Sequence, residues 1–107
     1  MAAEHPTLRA FEESVNRGDT EAFLDLFTSD GLVDDNGRTF EGCREIKRWS
    51  DSEFIGANAQ VEVKREEATS GGVVADIEVR SSGFSGLSHL TFELKENEIR
   101  AMRIGDG

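Results

Sequence analysis

The sequence has very little cysteine and histidine. Cys43 is the single cysteine, and there are two histidines. A lone cysteine excludes an intramolecular disulfide and fits a reducing compartment. Two His and one Cys offer no spacing typical of a metal site, so we expect no metal.

Positive charge is also scarce. The chain has 12 Lys and Arg against 22 Asp and Glu, a formal net charge of −10 at pH 7. Such a charge repels nucleic-acid phosphates and anionic membrane surfaces. The longest basic cluster, Arg44, Lys47 and Arg48, has helical spacing and predicts a solvated helix face. We therefore expect neither nucleic acid nor membrane as a partner.

Long hydrophobic runs are missing. A membrane span needs roughly 20 apolar residues, and no segment approaches that length. The first residues, MAAEHPTLRAFEES, lack both a basic region and an apolar run. We expect no signal peptide and a cytoplasmic protein.

What is present begins with two helix patterns. Pro6 suits a first helical position, and Gly18 suits the end of a helix. Between them an apolar stripe falls at Leu8, Phe11 and Val15. These signals predict one helix over about 5–17. A second helix, capped by Asp19 or Thr20, is predicted over about 20–27.

A short strand and a third helix follow. Residues 32–35 predict a strand that ends in Asp34 and Asp35, before the turn dipeptide Asn36-Gly37. Residues 39–40 are extended. From Cys43 the helical period returns, and it predicts a third helix over about 43–54.

The second half alternates between apolar and polar residues, which predicts four strands in an antiparallel meander. Helices on one face of such a sheet give an α+β domain. We predict a single domain over residues 1–107, a cone-shaped α+β barrel in which three N-terminal helices pack on a curved antiparallel sheet.

The N-terminal half resembles a known superfamily. The pattern is F-x-x-x-V-N-x-G-D-x-x-x-F-L-x-L-F-x-x-D-G-x-V-x-D, from Phe11 to Asp35, followed by Gly37, Phe40, Gly42, Ile46 and Trp49. It is similar to the nuclear transport factor two-like superfamily, within it most to SnoaL-like polyketide cyclases and ketosteroid isomerases. The likeness extends from Leu8 to Ile104 and implies the cone-shaped fold, a homodimer of moderate size and no cofactor.

The resemblance also implies site residues. The general base of the isomerases falls on Asp35. Their tyrosine donor falls on Phe11, and their protonated aspartate falls on Ser88. A Phe cannot hydrogen-bond an enolate, and a Ser hydroxyl is a weaker donor than a neutral carboxylic acid. Efficient steroid isomerisation is therefore not expected, whereas milder proton transfer is.

Asp35 has two interpretations. It is a general base in an apolar pocket, or it accepts backbone N–H bonds from the Asn36-Gly37 turn. Asp34, one residue earlier, should face the opposite side.

The aromatic residues also have two interpretations, because core and pocket wall are continuous in this fold. Trp49 is a wall of the pocket or part of the core. The residues predicted to bind the ligand are Phe11, Phe27, Trp49, Phe54, Phe84, Ser88, Phe92 and Met102.

Other polar residues are expected outside the site. By alternation, His89 points to the outer sheet face or a subunit interface. Asp76, Glu78 and Arg80 point outward too and are expected to form a solvated ladder. Cys43 is predicted to be a small buried hydrophobe, the alternative being a reactive thiol at a helix start.

Three functions remain open at this stage. The domain binds a hydrophobic molecule and moves a proton with Asp35, as a cofactor-independent isomerase, cyclase or lyase. Alternatively, it binds such a molecule without catalysis, or it is a dimerisation module. The polar outer sheet face argues against the last of these.

Overall fold

The computed structural model describes residues 3–105. The helices are α1 (Pro6–Arg17), α2 (Thr20–Leu24) and α3 (Gly42–Glu53), with a single 3-10 turn at Ile55–Ala57. The strands are β1 (Phe27–Asp35), β2 (Arg38–Glu41), β3 (Gln60–Thr69), β4 (Gly72–Arg80), β5 (Ser85–Lys95) and β6 (Glu98–Gly105).

The six strands form one sheet in the order β2-β1-β6-β5-β4-β3. The predicted α+β class with three helices against a curved sheet is confirmed. Two details differ from expectation. The N-terminal strands β1 and β2 extend the meander, and β1 runs parallel to β6, so the sheet is mixed rather than wholly antiparallel. Register shifts in the β1–β6, β3–β4 and β5–β6 pairings mark irregularities of the bulge type, which bend and twist a sheet.

The first helix begins and ends where the sequence predicts. The His5 side chain accepts a hydrogen bond from the Thr7 backbone N–H, and Pro6 takes the first helical position. Gly18 has φ 68°, a left-handed conformation that glycine adopts without a Cβ penalty.

The second helix is shorter than predicted. It ends at Leu24 rather than at residue 27. The Leu26 carbonyl accepts a 2.7 Å hydrogen bond from the Ile99 N–H, so the chain leaves the helix to join β6. Phe27 is buried, and it is the first residue of β1 rather than the last of the helix.

Side chains of α1 form hydrogen bonds with backbone groups of the edge strand β3. The Asn16 side chain accepts from the Val61 N–H at 2.7 Å and donates to the Val61 carbonyl at 2.9 Å. Glu12 accepts from the Val63 N–H at 2.9 Å. An uncovered edge strand is a template for association with another chain, so these bonds both dock α1 and protect β3.

The core lies between the helices and one sheet face. Residues of β4 and β5 alternate as predicted, with Ile77 and Phe92 buried. The other face carries polar side chains, including His89, whose Nδ1 lies 2.9 Å from Asp76 Oδ1. Leu87, on the same outer face, is an exposed apolar residue that the alternation did not single out.

Two surface predictions have different outcomes. Arg44, Lys47 and Arg48 are all exposed, which confirms the solvated face of α3. Cys43 is exposed as well, so its predicted burial is wrong. Within residues 3–105, no helix is long and apolar enough to cross a membrane.

Two adjacent glycines at the start of β4 give a matched test of backbone packing. A Cβ at Gly72 would collide with the Phe92 carbonyl oxygen, whereas a Cβ at Gly71 would meet nothing within 4 Å. We expect Gly72→Ala to lower the free energy of unfolding by about 1–3 kcal/mol in urea denaturation. Gly71→Ala is the control and should change it by less than about 0.5 kcal/mol. Equal effects of the two variants would contradict the β4–β5 packing.

Candidate functional site

A cavity of about 240 Å³ opens between the helices and the concave sheet face. Every main element except α2 and β2 contributes to it. The lining residues are Phe11, Asp35, Asn36, Trp49, Glu53, Phe54, Val61, Ile77, Val79, Ser81, Phe84, Ser88, Leu90, Ile104 and Gly105.

The wall on the helix side is aromatic. The Trp49 and Phe54 rings stack with centroids 5.1 Å apart, and the Phe54 ring stacks on Phe11 at 6.1 Å. All three residues are at least 90% buried. Because each ring is held by its neighbours, this wall is preformed.

Asp35 ends β1, directly before the hairpin turn. Asn36 and Gly37 both have positive φ, as a two-residue hairpin turn requires. This turn places Asp35 opposite Arg38 in the β1–β2 pairing. The side chain of Asp35 is 20% exposed and lies at the cavity.

One carboxylate oxygen of Asp35 accepts both of the hydrogen bonds that the side chain makes. Oδ2 accepts from Trp49 Nε1 at 3.2 Å and from the Arg38 guanidinium at 2.7 Å. Within the described chain, Oδ1 has no hydrogen-bond partner, and no buried side-chain oxygen is left unpaired. Oδ1 is therefore exposed, on a residue that lines the cavity.

Arg38 also binds Glu53, at the end of α3. Its two terminal nitrogens contact the two Glu53 carboxylate oxygens at 3.0 and 2.6 Å. The hydrogen bond from Arg38 lowers the pKa of Glu53, and the bonds to Glu53 and Asp35 raise the pKa of Arg38. The guanidinium thus ties β2 to α3 at the rim of the cavity.

Asp34 faces away from the cavity, as predicted. Its Oδ1 accepts from the Gly37 N–H at 2.8 Å, and its Oδ2 accepts from Arg103 at 3.2 Å. The alternative interpretation of Asp35, as acceptor of backbone bonds from the turn, is therefore wrong. Asp34 has that role.

The structure separates the predicted site residues into two groups. Those that line the cavity are Phe11, Asp35, Trp49, Phe54, Phe84 and Ser88. Phe27, Phe92 and Met102 are buried in the core and do not line it. Phe84 is 52% exposed and stands at the mouth of the cavity.

Sequence reasoning missed Arg38 and Glu53 as parts of the site. A signal existed for Arg38, since a two-residue turn at Asn36-Gly37 pairs residues 35 and 38. Glu53 lies four residues after Trp49 and therefore near the same helical face. Its partner, however, comes from another element.

Polar side chains also pair outside the cavity. His89 and Asp76 pair on the outer face, as the alternation predicted. Among residues 3–105, no group of three or more His, Cys, Asp or Glu could hold a metal ion.

Comparison with known proteins identifies the fold. No protein-family model and no curated protein matches the chain. A candidate polyketide cyclase from Sinorhizobium meliloti superposes with a TM-score of 0.82 at 21% identity, over 92% of this chain and 93% of that one. The chain has the nuclear transport factor two-like fold.

Two other solved structures share this fold. A hypothetical protein from Catenulispora acidiphila with a ketosteroid isomerase-like fold, in complex with trimethylamine, has a TM-score of 0.80 at 18% identity. That match covers 96% of this chain and 86% of the other. A computationally designed 17-OHP binder has a TM-score of 0.82 at 13% identity, over 94% and 88% of the two chains.

The Arg38–Glu53 pair can be tested by titration. Its hydrogen bond lowers the pKa of Glu53 below the ordinary value of 4.5. A depressed pKa stabilises the fold above pH 4.5, and that contribution is lost as the pH falls through the folded-state value. We expect Arg38→Gln to return the pKa of Glu53 toward 4.5, as measured by NMR of the side-chain carboxyl carbon.

Lys47→Gln is the control for this titration. Lys47 pairs with Asp51 on the same helix, at 2.7 Å. Like Arg38→Gln, this variant removes one positive charge near α3, but it leaves Arg38 in place. An equal shift of Glu53 in both variants would contradict a specific pair.

Proposed function

We propose that this domain binds a small apolar molecule in the cavity, with a polar group of that molecule held by Asp35. The observation that carries the proposal is the preformed aromatic wall beside an accessible carboxylate oxygen. Binding sites for small molecules combine apolar walls with a few convergent polar groups in this way.

The size of the cavity limits the ligand. Its volume of about 240 Å³ lies below the roughly 300–1,000 Å³ typical of sites for drug-sized molecules. A cavity of about 150 Å³ holds a single benzene ring. A ligand of one or two rings fits these limits better than a larger polycycle.

Two polar groups are available to orient the ligand. One is Asp35 Oδ1. The other is the hydroxyl of Ser88, which is 8% exposed and has no hydrogen-bond partner among residues 3–105. Ligand-binding neighbours of the same fold, with trimethylamine and 17-OHP, support a binding role for the cavity.

Cofactor-independent proton transfer, with Asp35 as general base, is the second candidate function. The accessible Asp35 Oδ1 favours it, because a general base must reach the proton it abstracts. Two features count against it. Phe11 offers no donor to a developing oxyanion, and the Trp49 N–H is already bonded to Asp35.

A cavity-filling variant tests the binding proposal. We expect 2-naphthol to bind the wild-type protein in isothermal titration calorimetry and to quench or shift the fluorescence of Trp49, the single tryptophan. Ser88→Phe places a ring in the cavity and should weaken binding at least about tenfold. Thr91→Phe, on the opposite sheet face of the same strand, should leave the affinity unchanged. If neither 2-naphthol nor smaller aromatic alcohols bind to the wild-type protein, the proposal is overturned.

Exchange of an acidic C–H tests proton transfer. The probe is 2-tetralone, a two-ring ketone, followed by proton NMR in D2O. If Asp35 is a general base, the wild type should accelerate exchange next to the carbonyl and Asp35→Asn should remove about 10²–10⁴-fold of that rate. If the wild-type protein gives exchange no faster than Asp35→Asn does, proton transfer is contradicted and ligand binding remains as the proposed function.

The homodimer implied by the sequence resemblance stays a prediction. Sedimentation at micromolar concentration measures it directly, and a mass of one chain would contradict it.

A further inference from the structure

The charges that line the cavity have one sign. Asp35 and Glu53 are its charged residues, and no basic residue lines it within the described part of the chain. Arg38 contacts both carboxylates from outside the lining, so one guanidinium faces two carboxylates. The rim therefore carries one net negative charge.

We propose that the ligand carries a cationic nitrogen, such as a protonated amine, and that Asp35 Oδ1 binds it. This inference rests on the proposed function and names its ligand class. The Arg38 contacts involve Asp35 Oδ2 and both oxygens of Glu53, which leaves Oδ1 as the unpaired carboxylate oxygen of the group. A charged donor at Oδ1 would neutralise the remaining charge.

The carboxylate that would bind the cation is held in place by its neighbours. The Trp49 N–H bond to Asp35 fixes the indole beside this carboxylate, and Phe54 stacks on the indole. The net charge of −10 further favours the approach of a cation.

Other ligand charges fit less well. An anionic group would meet two carboxylates and no lining cation, which is a repulsive arrangement. A neutral hydroxyl can donate to Oδ1, but it leaves the net negative charge in place, whereas an ammonium group adds an attraction between opposite charges. The geometry therefore predicts that a cationic ligand binds most tightly, a neutral donor less tightly and an anion most weakly.

Three probes that share a naphthalene ring and differ in the polar group test this ranking. They are 1-naphthylmethylamine, 1-naphthylmethanol and 1-naphthoate, titrated into the wild-type protein at pH 7 by calorimetry. We expect the amine to bind at least about tenfold more tightly than the alcohol and the carboxylate to bind most weakly. Equal affinities would overturn the inference while leaving the proposed function intact. Tightest binding of the carboxylate would overturn the inference and also the role of Asp35 in holding the ligand. Failure of all three to bind would overturn both.

Matched variants locate the preference. Asp35→Asn should lower the affinity for the amine to that for the alcohol. Asp51→Asn makes the same change of charge on an exposed part of α3 and should keep the tenfold preference. An equal loss in both variants would assign the preference to overall charge and overturn the role of Asp35.

A second variant covers the case in which Asp35→Asn does not fold. Glu53→Gln, at a residue whose side chain is 42% exposed, leaves one carboxylate facing Arg38 and removes the net negative charge. It should lower the amine preference severalfold while alcohol binding is retained. An unchanged preference would contradict the inference.

Discussion

The fully buried ring of Phe11 is the contact on which the rest of the structure depends. Its centroid lies 5.4 Å from that of Phe92 in the sheet, and about 6 Å from those of Phe23 and Phe54. One side chain of α1 therefore joins the second helix, the end of the third helix and the sheet. The same ring lines the cavity. Where the isomerase pattern has a hydrogen-bond donor, this chain has a packing residue.

The helices could be predicted because their signals are local. A stripe of apolar residues, a cap and a closing glycine lie within a few positions of one another, and α1 follows them closely. The parallel pairing of β1 with β6 could not be predicted, because about 70 residues separate Leu32 from its partner Ala101. That pairing also shortens α2, since Ile99 bonds to the Leu26 carbonyl. Periodicity identifies strands without identifying their neighbours.

The candidate site shows the same limit. Asp35 could be placed from strand alternation and from the family pattern, and it lies at the cavity. Phe92 and Met102 share the inward periodicity of Ser88 and Leu90, yet they are packed in the core below. Alternation shows which face a side chain occupies but not how deep it lies. The ion pair between Arg38 and Glu53 joins a hairpin to a helix end 15 residues away, so no short pattern predicts it.

The hydrogen bonds of Asp35 explain why binding is the better-supported function. Proton transfer needs a base that reaches the proton and donors that stabilise the charge that develops in the transition state. Here Trp49 and Arg38 both bind one carboxylate oxygen, which orients the group and leaves the second oxygen as a fixed acceptor. The indole N–H that could have stabilised an oxyanion is used for this orientation. A carboxylate held in this way, beside preformed aromatic walls, is well arranged to select the charge and direction of a ligand.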